Sequence, residues 1–436
     1  MASELTTLRV GLAGLGNVGA GVYKNIEKNR ALLIERTGAD IRVEKIAVRD
    51  PSRKRDVDPP AEMITTRWQD LVEDENLDII VELIGGVDEA YALVKSALEA
   101  GKAVVTGNKA LLAEHGKELV ALAESKNVPL YIEAAVAGGI PIIKAVKEAL
   151  VGNRILSIYG IINGTSNYIL TRMTRAGLPF DEALKEASDL GYAEADPSLD
   201  INGWDAGHKA IILAWLSYGQ WLRSEDVTVT GIEDVSLTDV EFASALGYDI
   251  KLLAVVRQDD EGLIEVRVQT ALVPDTHILA SVSGVFNAVA VHGDVVGETL
   301  FYGSGAGQDA TSSSVIADLA DAAENLTNDV GCNGFVPHGD YGRAKPLEDT
   351  ISQYYLRLQV TDTPGTLAQI ATLLGNRDIG ILSVIQPEPE NEDADAQLVL
   401  TIHDAAYGNM KAAVDEICAL DCTKESPVLL RIETLT

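Results

Sequence analysis

Leu8-Arg9-Val10-Gly11-Leu12-Ala13-Gly14-Leu15-Gly16-Asn17-Val18-Gly19 decides how the rest of the chain is read. Residues 8–12 form a short apolar run. A G-x-G-x-x-G follows, and a stretch with helical periodicity then continues to about Arg36. Glycines at this spacing mean little alone, but between a strand and a helix they acquire a physical sense. Gly14 permits a tight turn, Gly16 lets backbone approach a pyrophosphate, and Gly19 lets the helix pack closely on the strand. Asn17 and Val18 lie in the first helical turn, where free N–H groups and the helix dipole favour an anion. The alternative is a plain glycine turn with no ligand.

Outward from this turn, strand and helix signals alternate. Residues 42–48, 78–84, 103–106 and 130–136 read as strands, and 89–100 and 111–125 carry helical periodicity. Such alternation predicts an α/β fold with a doubly wound parallel sheet over residues 1–136. After Gly138-Gly139 the pattern changes. Helical candidates at 140–150, 166–176, 181–190 and 204–221, then strand candidates at 253–256 and 263–272, predict an α+β domain over 137–310. Residues 311–330 read as a helix packing back onto the first domain. Residues 331–351, rich in Gly and Pro, read as a linker. Residues 352–436 then read as a compact βαββαβ unit.

The 436 residues are 47% hydrophobic and 23% charged, which is ordinary globular usage and excludes a disordered or collagen-like chain. Basic residues number 35 and acidic residues 66, a formal charge of −31. Nucleic acid and anionic membranes should repel such a chain, so neither is an expected partner. Three cysteines, Cys332, Cys418 and Cys422, form no disulfide framework and read as buried thiols. No basic-then-apolar leader and no membrane-length apolar run is present, so a soluble cytoplasmic protein is expected.

The second strand ends at Ala47-Val48-Arg49-Asp50, where an adenosine ribose should lie. An acidic tip selects a free 2′-hydroxyl, whereas an arginine accommodates a 2′-phosphate. Arg49 comes first, with Arg53, Lys54 and Arg55 beyond, which favours NADP; Asp50 keeps NAD open. The densest chemistry is the segment 191–209, where Glu194, Asp196, Asp200 and Asp205 precede Lys209. Asp205 and Lys209 stand i, i+4 at the start of an apolar helix and share a face. On a surface they would be an ordinary ion pair. In a buried helix such a lysine can donate a proton, because burial lowers its pKa. The carboxylates suit a substrate bearing an ammonium group. Thr106-Gly107-Asn108-Lys109 follows a strand at its C-terminal end, where ligands bind in such sheets. Asn163-Gly164-Thr165-Ser166-Asn167 is a polar turn whose hydroxyls could equally be helix caps.

On these residues the chain resembles homoserine dehydrogenase in its longer form, with a C-terminal ACT domain. Matching stretches are Gly14–Gly19, 104–112, 133–141, 160–165, 191–209 and 301–307; Asp362-Thr363-Pro364-Gly365 carries the ACT resemblance. Gly107 and Ala310 depart from residues common in that family, without removing a chemical group. The resemblance implies NAD(P)-dependent interconversion of L-homoserine and L-aspartate 4-semialdehyde in threonine, methionine and isoleucine biosynthesis. Lys209 would be the proton donor, Lys109 would stand near the reacting oxygen and the nicotinamide, and Glu194 and Asp205 would hold substrate. Gly191 and Gly307 would approach the cofactor. A sodium ion would lie on Glu133, Val136, Gly138 and Ile140 through backbone carbonyls. The resemblance further implies L-threonine as effector and a homodimer or homotetramer.

Two other readings compete. Aspartate-semialdehyde dehydrogenase needs a cysteine nucleophile, and every cysteine here lies at or beyond residue 332. A non-enzymatic NAD(P)-binding sensor would not need Lys109, Glu194, Asp205 and Lys209 together.

Overall fold

The computed structural model describes residues 5–193, 196–328, 341–387 and 395–435. It divides into two compact units, each built from three separate stretches of chain. Among the described residues no helix is long and apolar enough to cross a membrane.

The first unit comprises Met1–Gly164, Asp205–Val227 and Val285–Gly342. Its N-terminal part is a six-stranded sheet, β1 (Thr6–Ala13), β2 (Ala39–Ala47), β3 (Ile64–Thr65), β4 (Ile79–Glu82), β5 (Ala103–Thr106) and β6 (Leu130–Tyr131). The order is β3-β2-β1-β4-β5-β6 and every pairing is parallel, as the alternation required. Helices α1 (Asn17–Thr37), α2 (Asp88–Glu99) and α3 (Lys109–Lys126) form the crossovers. Both faces of β1 and β4 are covered, so the consecutive residues Leu12 and Ala13, and Ile79 and Ile80, are fully buried. The helix Gln308–Thr327 lies against α1: a Cβ on Gly21 would sit 2.7 Å from the Gln308 carbonyl, and Asn25 Nδ2 donates to Ser312 Oγ at 2.9 Å. Strand order reverses beside β1, and that opens a crevice at the C-terminal ends of β1 and β4. The same unit holds three antiparallel strands, Ile155–Ile161, Phe286–Gly293 and Gly297–Ser304, which the sequence reading leaves out.

The second unit comprises Thr165–Trp204, Thr228–Gly284 and Arg343–Thr436. Its sheet runs Tyr248–Gln258, Ile264–Pro274, Val428–Ile432, Ile351–Val360, Ala396–Ala406, Ile381–Ile385. The last four strands, with helices Thr366–Gly375 and Tyr407–Cys418, follow the chain order βαββαβ. Numbered along the chain, those strands lie in the spatial order 4-1-3-2. Val428–Ile432 also pairs in parallel with Ile264–Pro274, so the C-terminal segment and residues 248–274 share one sheet. The thiols differ from expectation: Cys418 is exposed and Cys422 half-buried, because they close the Tyr407–Cys418 helix and its following turn on the solvent side; Cys332 lies outside the described residues.

Candidate active site

The glycine turn has the geometry a dinucleotide needs. Gly14 adopts φ +99°, and a Cβ there would lie 2.4 Å from the Leu83 carbonyl, at the end of β4. A Cβ on Gly19 would lie 2.1 Å from the Gly14 carbonyl, so only glycine lets α1 start this close to the turn. Gly16 faces open space, and no side chain caps the helix. The first-turn N–H groups, including those of Asn17 and Val18, therefore point outward without a side-chain acceptor. Gly14, Leu15 and Gly16, just before them, border a cavity of about 440 Å³ that also touches Val48, Arg49, Asp50, Arg53 and Ile84.

At the tip of β2, Arg49 is 89% exposed and 3.7 Å from Glu89. Asp50 is exposed and lines the same cavity, and it is also tied to its own loop: one carboxylate oxygen accepts from the Ser52 N–H at 2.8 Å and from its hydroxyl at 2.6 Å. The Ser52 side chain, then its N–H, pulls the Asp50 pKa below the ordinary range. Arg55 fastens the loop to the glycine turn by donating to the Leu15, Asp50 and Arg53 carbonyls.

The second cluster gathers around the start of the helix Trp204–Tyr218. Ala210, Ile211, Ile212, Leu213 and Ala214 are fully buried, so the helix is covered on all sides and its polar residues must find partners. Asp205 and Lys209, each 8% exposed, do so together: Lys209 Nζ donates to Asp205 Oδ2 and to the Ile162 carbonyl, both at 2.6 Å. Asn163 Nδ2 donates to the same carboxylate oxygen at 2.9 Å. Lys109 Nζ, from the first residue of α3, lies 3.1 Å from Oδ1. Burial opposes charge on Asp205, but Lys209 and Lys109 outweigh it and hold the carboxyl well below its ordinary range. The result is a buried carboxylate bridging two ammonium groups. It draws α3, the strand Ile155–Ile161 and the helix Trp204–Tyr218 to one point.

His208, which the sequence reading passed over, precedes Lys209; burial and then Lys109 push its pKa down. Thr165 and Ser166 do not serve as caps. Their hydroxyls donate to the carbonyls of Tyr192 and Asp200, both at 2.8 Å, and so fix the loop that carries Gly191. Gly191 takes φ +75° in the second unit. Gly307 takes φ +120° at the start of the helix Gln308–Thr327. Glu194 lies outside the described residues.

Val136, Gly138 and Ile140 sit in a buried turn in which Ala137 adopts φ 49°. The Gly138 carbonyl accepts from Ser314 Oγ at 2.6 Å, and that of Ile140 from the Ile142 N–H at 2.7 Å. The Glu133 carboxylate accepts the N–H groups of Ile143 and Lys144, and burial pushes its pKa up to about 7. Among the described residues no group of three or more His, Cys, Asp or Glu side chains is set to hold a metal.

Two family models match the chain: "Homoserine dehydrogenase, NAD binding domain" over residues 14–133 and "Homoserine dehydrogenase" over 141–320. The homoserine dehydrogenase of Pseudomonas aeruginosa is 44% identical over 435 residues, which is 98% of this chain and 99% of that one. The crystal structure of the Thiobacillus denitrificans enzyme, 42% identical, superposes with a TM-score of 0.92 over 99% of both chains. A hyperthermophilic archaeal homoserine dehydrogenase in complex with NADPH, 30% identical, matches 73% of this chain and 98% of its own with a TM-score of 0.63. Taken with the dinucleotide turn and the two lysines held on one carboxylate, these likenesses show that the chain belongs to the homoserine dehydrogenases, a family of NAD(P)-dependent oxidoreductases.

Proposed function

We propose that the chain interconverts L-homoserine and L-aspartate 4-semialdehyde, with Lys209 as the proton donor in the reducing direction. The buried Lys209–Asp205–Lys109 arrangement carries this reading. The bound nicotinamide supplies or takes up a hydride at its C4. The side chains do the rest. An ammonium has three N–H donors; Asp205 and the Ile162 carbonyl engage two on Lys209, leaving one for the substrate oxygen. Lys109 orients that oxygen. Asp205 stays ionised throughout the working pH range and keeps both lysines in place. A carboxylate offers about four acceptor sites, so one remains on Asp205 for the substrate's ammonium group. The turn Gly14–Gly19 cradles the pyrophosphate, with Gly307 offering bare backbone to the rest of the cofactor.

NADP is the favoured cofactor. One oxygen of Asp50 is engaged twice by Ser52, and the cavity it lines also carries Arg49 and Arg53, which can meet a 2′-phosphate. Sodium suits the carbonyls of Glu133, Val136, Gly138 and Ile140: they are hard oxygen donors, and those of Gly138 and Ile140 each keep a lone pair beyond their hydrogen bond. The C-terminal βαββαβ unit acts as an ACT domain that binds L-threonine at residues 362–365.

The test is the reduction of NADP followed spectrophotometrically with L-homoserine. Lys209→Ala should lower kcat by ~10²–10⁴-fold, the usual weight of general acid–base catalysis, with the cofactor Kd little changed. Retention of more than about half of the wild-type kcat would rule out a proton-transfer role, given that weight.

A further inference from the structure

Glu82 is the last residue of β4 and has no solvent exposure. A buried carboxylate is expensive unless it is well bonded, and an apolar side chain would serve a strand end better. Its bonds lead somewhere specific. Oε2 accepts from the Thr106 hydroxyl at 2.6 Å, and Oε1 accepts from the Ile84 N–H at 2.9 Å. Thr106 Oγ1 in turn accepts the Asn108 N–H at 3.0 Å. The Asn108 side chain works in both directions: Oδ1 accepts the Leu111 N–H at 3.1 Å and caps α3, while Nδ2 donates to the Gly86 carbonyl at 2.6 Å. The residue after this cap is Lys109, whose Nζ lies 3.1 Å from Asp205. The chain of bonds therefore ties the loop after β4, the loop after β5 and the start of α3 into one piece.

We propose that Glu82 is a positioning residue: through Thr106 and Asn108 it fixes the start of α3 and so sets where Lys109 presents its ammonium group. The assignment rests on the reading of Lys109 as a catalytic residue. Nothing in the chemistry requires Glu82 to touch substrate. Its effect is orientation, where a displacement of about an ångström can cost ~10²-fold in rate.

Glu82→Leu, Glu82→Gln, Lys109→Ala and the Glu82→Leu/Lys109→Ala double variant of the full-length enzyme test this, with kcat, KM, the NADP dissociation constant and Tm measured for each. Glu82→Leu should lower kcat by roughly 10–100-fold on the same grounds, with KM for homoserine changed much less. Glu82→Gln keeps a carbonyl for the Ile84 N–H and an amide for the Thr106 hydroxyl, and should restore most of kcat. The decisive measurement is the cycle with Lys109→Ala. In that background Glu82→Leu should be nearly silent, because the group it positions is gone. Equal losses of kcat in both backgrounds overturn the proposal, as does a Glu82→Leu enzyme that differs only in Tm or in NADP affinity. If Lys109→Ala itself leaves kcat intact, the reading of Lys109 fails instead. Should Glu82→Leu not fold, Thr106→Val removes the connecting hydroxyl alone and enters the same cycle, and Thr106→Ser should act as wild type.

Discussion

Arg49 shows how far a single residue can be read. Its place at the tip of the second strand was legible, because G-x-G-x-x-G fixes where the adenosine ribose must fall. The task of its neighbour is not: Asp50 lines the same cavity, and one of its carboxylate oxygens also accepts twice from Ser52 on its own loop. Short-range competition of this kind leaves no periodic trace in a sequence. Arg49→Ala should weaken NADP by roughly 1.5–3 kcal/mol, the range for a hydrogen bond to a charged group, and leave NAD almost unchanged. Titrations that lose equally for both cofactors would make Arg49 structural. Lys251 is legible only in the structure. It is buried in the strand Tyr248–Gln258, donates to the Val282 carbonyl at 2.8 Å, and is pushed down to about 8 by burial. An unfolded lysine titrates near 10.5, so between about pH 8 and 10.5 the unfolded chain binds more protons and stability rises with pH. Below that window the buried charge is a cost. Lys251→Met should therefore raise stability at pH 7 by ~1–2 kcal/mol, after discounting the lost hydrogen bond, and the gain should vanish near pH 10.5. Calorimetric melts at the two pH values check it; an equal gain at both would mean packing, not charge.

At the scale of elements, strand–helix alternation makes β1, β2, β4, β5 and β6 readable, because each is short and closed by a turn; the two-residue β3 is too brief to leave a pattern. The Lys209 helix was readable for the same reason, as an unbroken apolar run behind an i, i+4 pair. The strands Ile155–Ile161, Phe286–Gly293 and Gly297–Ser304 were not. Gly160 interrupts the first, and the last runs straight into Gly303 and Gly305, so each resembles a loop. Their loss hid why Asn163 matters: the first strand delivers it to Asp205. The strand Val428–Ile432 is legible as the last of the βαββαβ unit, but not its pairing on both sides, with Ile351–Val360 and with Ile264–Pro274. The reason is electrostatic as well as geometric. Arg267, fully buried in Ile264–Pro274, lies 2.6 Å from Glu265 and 2.7 Å from Glu433, just past the last strand. Glu433→Ala leaves that guanidinium with one carboxylate in a dry place, and should cost roughly 3–5 kcal/mol of unfolding free energy. Denaturation showing less than ~1 kcal/mol, the scale of an exposed pair, would mean that water reaches Arg267 and that the strand is held by backbone pairing alone.

For the whole molecule, the question is what the C-terminal segment does. In this chain its removal is not innocent. A chain ending near Asp349 would strip Val428–Ile432 from Ile264–Pro274 and take Glu433 from Arg267. Loss of threonine response in such a truncation would be ambiguous, and a point change is the cleaner probe. Gly365 stands at φ +100° before the helix Thr366–Gly375, with no side chain capping that helix; the Thr366 N–H donates to the Thr363 carbonyl at 3.2 Å, and the next N–H groups of the turn can receive a carboxylate. Gly365→Ala strains this turn while leaving Lys109, Asp205, Lys209 and the Arg267 ion pairs untouched. Inhibition requires L-threonine to favour a less active conformation, and couplings of ~1–3 kcal/mol, or 5–150-fold in affinity, are the usual scale. Millimolar L-threonine should therefore inhibit the full-length enzyme, and Gly365→Ala should keep the basal kcat while weakening that inhibition at least several-fold. If the wild-type enzyme ignores threonine and calorimetry detects no binding, the segment is a scaffold, and its buried strand is sufficient reason for its presence.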